Sequence, residues 1–94
     1  MNTYAIMLNK VPNHELSQEL INRHIAHLRH LHRSGVLILC GPFTDHPSGM
    51  VVVKAPTKEA ATEVAESDPF VKEGARTYEI RTWLLANEEN NYLG

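Results

Sequence analysis

Two residues of this chain, His24 and Asp68, have the side chains of a proton-transfer site. His24 lies in a segment, residues 16–34, whose apolar residues recur at the helical period of about 100° per residue. His24 falls within the apolar arc of that helix, so its ring needs a hydrogen-bonding partner, because an unpaired buried polar group costs about 1–3 kcal/mol. A paired imidazole exchanges its proton near neutral pH, which suits general acid–base catalysis. The alternative is a core histidine with a purely structural partner. The apolar arc consists of Leu20, Ile21, Ile25, Leu28 and Leu31.

Asp68 is the carboxylate best suited to pair with His24. It precedes Pro69, so it also has an ordinary structural use as the N-cap of a short helix. In the functional interpretation its carboxylate reaches His24 and fixes the tautomer of the ring, as the acid does in a Ser-His-Asp site. The sequence does not distinguish this pairing from one with Glu63 or Glu66.

The remaining histidines do not indicate a metal site. Residues 24, 27 and 30 are all histidine, but successive rings are about 60° apart around the helix axis, so all three cannot share one metal. No acidic residue or cysteine follows at a recognised ligand spacing, and no metal site is predicted. We expect a solvated helix flank for His27, His30 and His32, and loop positions for His14 and His46.

Composition predicts a single domain over residues 1–94, with a core at about 3–85 and a polar, frayed or partner-bound tail at 86–94. The net charge of -2 argues against nucleic acid as a partner. No segment approaches the roughly 20 apolar residues that span a bilayer, and no signal peptide is recognisable, so we expect no membrane partner and a cytoplasmic location. Cys40 is the single cysteine, so no internal disulfide is possible. We expect its small side chain to be buried. No nucleotide-binding motif is present, and no cofactor is expected.

The elements follow the order strand, helix, strand, strand, helix, strand. This order predicts an α+β, ferredoxin-like βαββαβ fold, a four-stranded antiparallel sheet with both helices on one face. The uncovered sheet face predicts a homodimer. The predicted strands are 3–9, 36–41, 49–55 and 76–85; the predicted helices are 16–34, a second from the Thr57 cap to about Ser67, and a single turn from Asp68 to Gly74.

Gly41 and Pro42 end the second strand. One interpretation is a hairpin-like turn between consecutive strands. The other is that Gly41 lets a ligand approach the backbone, while the loop through Ser48 and Gly49 covers a binding site.

These residues, taken in order, resemble the YCII-related family. The resemblance lies in Arg23-His24, the leucines at 28 and 31, Gly35 eleven residues after His24, Leu37, Gly41-Pro42, and Asp68-Pro69-Phe70 with Gly74 beyond it. It implies a fold that dimerises through its sheets as a dimeric α/β barrel. It also implies a His-Asp dyad of His24 and Asp68, with Arg23, Gly41, Pro42 and Phe70 lining the same substrate cleft.

Three hypotheses follow. In the first, the chain is a small cofactor-independent enzyme in which His24 transfers protons and Asp68 orients it. The substrate is then a small cyclic or aromatic molecule, and the reaction is proton abstraction coupled to elimination or isomerisation, since the pair supplies neither a redox centre nor a nucleophile. The resemblance to the family implies an activity of the dehydrochlorinase, lyase or isomerase kind. In the second, the same cleft binds or senses a small ligand without catalysis. In the third, the pair only holds two helices together.

Overall fold

Four strands and three α-helices follow one another along the chain in a computed structural model that describes all 94 residues. The sheet order is β2-β3-β1-β4, and every neighbouring pair is antiparallel. This confirms the predicted α+β, ferredoxin-like arrangement. The elements are β1 Asn2–Lys10, α1 Gln18–Arg33, β2 Leu37–Pro42, β3 Gly49–Ala55, α2 Lys58–Ser67, α3 Pro69–Lys72 and β4 Arg76–Thr82.

Side-chain caps explain where the helices begin. The Ser17 hydroxyl accepts the backbone N–H of Leu20 at 3.1 Å, so α1 starts two residues later than predicted. The Thr57 hydroxyl caps α2 in the same way, as predicted. Gly35 follows α1 with a φ of 77°, a left-handed conformation that glycine adopts without steric cost.

The main core lies between the sheet and α2. Along β1, Tyr4, Ile6 and Leu8 alternate with less buried residues, so this face meets the helices. Ala61 and Ala65 of α2 are almost completely buried against it. Their small side chains allow the helix axis to lie close to the sheet.

Helix α1 packs in a different way. Its residue Leu20 joins Phe70 and Ala75 in a second, smaller apolar cluster, while Leu28 packs against the main core. Between these two attachments a cavity separates α1 from the sheet. The expectation that Ile25 belongs to the core is therefore corrected, since 39% of this residue is exposed and it lines the cavity.

The C-terminal part departs from prediction. Strand β4 ends at Thr82, because beyond it only the bond from the Trp83 N–H to the Thr3 carbonyl continues the ladder, at 2.8 Å. Leu84, within the residues predicted as the last strand, is 74% exposed. The tail forms a short 3₁₀ segment, Glu88–Leu93. At its start, the side chains of Asn87 and Asn90 each accept a hydrogen bond from the backbone N–H of the other residue. None of the helices has the apolar length needed to cross a bilayer.

Candidate active site

The cavity beneath α1 has a volume of about 560 Å³, within the range of sites that enclose small organic ligands. Leu8 and Val51 of the sheet form its floor, and Ile25 and Leu28 of α1 lie above them. Most of the remaining lining belongs to the β2–β3 hairpin. His24 contributes from α1, next to Phe70. The cavity is thus an apolar compartment with a titratable ring in its wall.

His24 and Asp68 are in contact. The distance between His24 Nδ1 and Asp68 Oδ1 is 2.8 Å, and the exposed fractions of the two side chains are 14% and 4%. A carboxylate only accepts hydrogen bonds, so Nδ1 carries the proton in this pair. In the neutral ring Nε2 then has a free lone pair.

The same oxygen of Asp68 has a second role. Its Oδ1 accepts the backbone N–H of Phe70 at 2.9 Å, and Asp68 is the residue at which α2 ends and α3 begins. Pro69 then occupies the first helical position, which lacks an N–H that would need a partner. The expected N-cap and the expected contact with His24 therefore coexist, because two donors approach one carboxylate oxygen.

Phe70 fixes the plane of the His24 ring. The two rings stack with their centroids 3.8 Å apart and their planes 7° from parallel. The Arg76 guanidinium also lies over the Phe70 ring, with its carbon 5.5 Å from the ring centroid. Arg76 lines the cavity as well. Sequence reasoning treated Arg76 only as the start of β4, although it shares its strand face with Tyr78 and Ile80 and so faces the helices.

The other nitrogen of His24 is available to a ligand. Nε2 has no hydrogen-bond partner within the chain, and no buried side-chain nitrogen or oxygen atom lacks a partner. Nε2 is therefore accessible to solvent, and the ring to which it belongs lines the cavity. A proton acceptor with one nitrogen held by a carboxylate and the other open is the arrangement of a general base.

Gly41 and Pro42 line the same cavity, as does Phe70. A Cβ atom at Gly41 would meet no atom within 4 Å, so the backbone faces open space on that side. The hairpin interpretation also applies, since Pro42 pairs with Gly49 across the two strands. The loop between them contributes His46, whose Nδ1 lies 2.7 Å from the Ser48 hydroxyl.

Arg23 lies elsewhere. Its guanidinium is 3.2 Å from a carboxylate oxygen of Glu73, both side chains are about half exposed, and Arg23 does not line the cavity. The expectation that it does is corrected. Neighbouring residues on a helix project about 100° apart, so the residue before His24 points away from the compartment that His24 faces.

Two further expectations about burial need correction. Cys40 is exposed rather than buried, because β2 is the edge strand and α1 stands away from it, leaving the cavity over this residue. His27 is partly buried rather than fully solvated. Its burial lowers the pKa of His27 below the usual 6.5, and nearby His24, His30 and Lys72 act in the same direction, against the opposite effect of Asp68.

Neither Glu63 nor Glu66, the two alternative partners for His24, forms a hydrogen bond with it. Glu66 Oε2 accepts the Tyr78 hydroxyl at 2.9 Å, a bond that raises the pKa of Tyr78. Glu63 is exposed and offers only its backbone carbonyl, to the Ser67 hydroxyl. No three histidine, cysteine, aspartate or glutamate side chains come together as metal ligands.

Comparisons with known proteins agree with this fold. The sequence profile of the YCII-related domain matches residues 2–84. The uncharacterised protein YjpA of Bacillus subtilis (strain 168) is 29% identical over 82 residues, which make up 87% of this chain and 96% of YjpA. Among solved structures, the 5-chloro-2-hydroxyhydroquinone dehydrochlorinase TftG of Burkholderia phenoliruptrix AC1100, in complex with 2,5-dihydroxybenzoquinone, superimposes with a TM-score of 0.64 at 20% identity, covering 87% of this chain and 93% of TftG. With the profile matched from the first strand to beyond the last, the chain belongs to the YCII-related domain family.

Proposed function

We propose that the chain is a small enzyme in which His24 transfers a proton to and from a cyclic or aromatic substrate and Asp68 orients the imidazole. The observation that carries this proposal is the 2.8 Å contact between His24 and Asp68 in the wall of an apolar cavity, with the other ring nitrogen free. The dehydrochlorinase activity named for TftG, a protein of the same fold, is consistent with it.

The chemistry follows from what the pair supplies. Nε2 takes a proton from a carbon of the substrate, and the electron pair of that C–H bond becomes a new double bond. In an elimination, the leaving group departs from the adjacent carbon with its own electron pair. In an isomerisation, the imidazolium returns the proton to a different carbon. Asp68 stabilises the positive charge that forms on the ring in either case.

A matched set of variants tests the proposal. Purified protein is incubated with small aromatic and lactone compounds, and products are followed by mass spectrometry. His24→Gln keeps a polar side chain but removes the basic nitrogen, so it should abolish turnover while the far-ultraviolet circular dichroism stays unchanged. His30→Gln, on the exposed flank of the same helix, is the control and should retain turnover. Turnover by His24→Gln at the wild-type rate contradicts the proposal.

The apolar character of the cavity also suits a binding or sensing module without catalysis. Ten of the eighteen residues that line it are hydrophobic, as expected for a site that holds a small organic ligand. Ligand protection against thermal unfolding, without product after long incubation, would favour this second function.

We further propose that the chain forms a homodimer through the open sheet face. Ala5, Val52 and Leu39 are cross-strand neighbours on the face opposite the helices, and Leu39 is 60% exposed. An apolar row of this kind is stabilised by a second copy. Leu39→Glu should convert a dimer into a monomer in sedimentation equilibrium, whereas Lys58→Glu, exposed on α2, should leave the mass unchanged.

A further inference from the structure

We propose that Arg76 is the specificity-determining residue of this cavity and that the substrate is a ring bearing an oxyanion, such as a carboxylate. This inference rests on the function proposed above, since it names the substrate class for the same site. The observation behind it is a permanent positive charge, without an acidic partner, in the wall of an otherwise apolar compartment.

Among the residues that line the cavity, Arg76 is the single one that is charged at every physiological pH, and none is an aspartate or glutamate. The ion pairs of the protein involve other side chains, so Arg76 has no carboxylate within 4.0 Å. An apolar compartment strengthens the attraction between such a cation and an anionic ligand, because little water screens it.

The hydrogen-bonding capacity of Arg76 is mostly unused. A guanidinium has five N–H donors, and the protein provides one acceptor, the Ala75 carbonyl at 2.8 Å from Nη1. The planar fork of arginine matches the two oxygens of a carboxylate. The cation–π contact with Phe70 keeps the guanidinium beside the cavity, so the remaining donors are available to a ligand.

Arg76 and His24 are close enough to share a ligand. Phe70 is common to both, with its ring 3.8 Å from the His24 ring and 5.5 Å from the Arg76 guanidinium carbon, so the separation of imidazole and guanidinium cannot exceed the sum of these two distances. Because both residues line the same cavity, one small molecule bound there can contact both.

A neighbouring depression reinforces the same preference. Arg76 also borders a neighbouring depression that contains Lys10, His14 and Glu15. Lys10 faces Arg76 directly in the ladder between β1 and β4. Lys10 and Arg76 against the single carboxylate of Glu15 give this depression a net positive charge, which attracts anions.

Benzoate and benzamide provide a direct test, because they share shape and differ in charge. Their dissociation constants are measured by ligand-observed nuclear magnetic resonance, up to concentrations that resolve millimolar affinities. We expect the wild-type protein to bind benzoate about tenfold more tightly than benzamide. Arg76→Gln should remove this preference, and Arg76→Lys should keep part of it. Arg81→Gln, which changes an exposed arginine on the other face of the strand, should keep all of it.

Thermal unfolding and circular dichroism establish that each variant is folded. Equal affinities for the two probes in the wild-type protein, a full preference in Arg76→Gln, or no measurable binding of either probe overturns the inference. The His24→Gln variant separates this result from the proposed function: it should be inactive and still prefer benzoate. Turnover by His24→Gln contradicts the proposed function, whereas equal binding of benzoate and benzamide by His24→Gln contradicts the assignment of Arg76.

Discussion

His24 and Phe70 lie face to face, 3.8 Å apart, and one oxygen of Asp68 accepts hydrogen bonds from both residues. From Phe70 it accepts the backbone N–H, and from His24 the Nδ1–H. The start of α3 and the orientation of the imidazole therefore depend on the same atom. A helix cap of this kind fixes its carboxylate before any substrate arrives, which is the condition for an orienting acid.

Because Asp68 Oδ1 accepts both hydrogen bonds, the effect of these bonds on stability can be measured separately from the effect of the carboxylate charge. Asp68→Asn keeps an oxygen that can accept both bonds and removes the charge, so it should lower the free energy of unfolding by about 1–2 kcal/mol. Asp68→Ala also removes the cap and leaves the His24 N–H unpaired, with an expected loss of about 2–4 kcal/mol. Urea denaturation provides the measurement. Thr57→Ala, which removes only the cap of α2, is the control at about 1 kcal/mol. Equal stability of Asp68→Ala and Thr57→Ala would contradict the shared role.

The stacked rings predict a specific effect of Phe70→Leu. This change keeps an apolar side chain in the second cluster but removes the surface on which His24 lies, at an expected cost of about 1–2 kcal/mol in unfolding free energy. Turnover should fall further than the lost stability explains, because the imidazole is no longer held in one plane. Phe43→Leu is the matched control, since Phe43 lines the cavity without a ring partner. Similar turnover in the two variants would show that the stack has no catalytic role.

Two glycines on paired strands should respond in opposite ways to alanine. At Gly41 a Cβ atom meets no atom within 4 Å, so Gly41→Ala should raise the unfolding free energy by up to about 1 kcal/mol. Gly41 pairs with Met50, on the sheet face opposite the cavity floor, so the added methyl group should leave ligand binding unchanged. At Gly49 a Cβ atom would lie 3.0 Å from the Gly41 carbonyl oxygen, and Gly49→Ala should lower stability. Thermal unfolding and a ligand titration distinguish the two. A destabilised Gly41→Ala protein, or one with weakened ligand binding, would contradict this prediction.

The lowered pKa of His27 predicts how stability depends on pH. Burial favours the neutral ring in the folded state, whereas the unfolded chain protonates near pH 6.5, so below that pH the unfolded state binds more protons. The contribution of His27 to stability is therefore complete above pH 6.5 and declines as the pH falls towards the lowered value.

Urea denaturation at about pH 7.5 and pH 5.5 measures this decline. His27→Gln should reduce the difference between the two pH values, and His32→Gln, exposed on the same helix, should leave it unchanged. The same pH dependence in the wild-type and His27→Gln proteins would show that His27 titrates equally in the folded and unfolded states.

Local patterns were sufficient for the order of elements. The alternation of Tyr4, Ile6 and Leu8, the cap at Thr57 and the Asp68-Pro69 start of α3 each depend on residues close together in the chain, so the βαββαβ fold was predicted correctly. Two predictions from the sequence pattern were wrong. Strand β4 was predicted too long, and Ile25 was assigned to the core, because an apolar residue on a helix face does not reveal whether another element fills the space opposite it.

The sequence by itself determined that His24 lies on the inner face of the first helix and that a carboxylate caps the Pro69 turn. Only the tertiary structure selected Asp68 over Glu63 and Glu66, directed Arg23 to Glu73, and joined Arg76 to the ring of Phe70. The physical reason is that helical and strand periods fix the direction of a side chain, whereas contact between residues 44 positions apart depends on how α1 and α3 pack on one sheet.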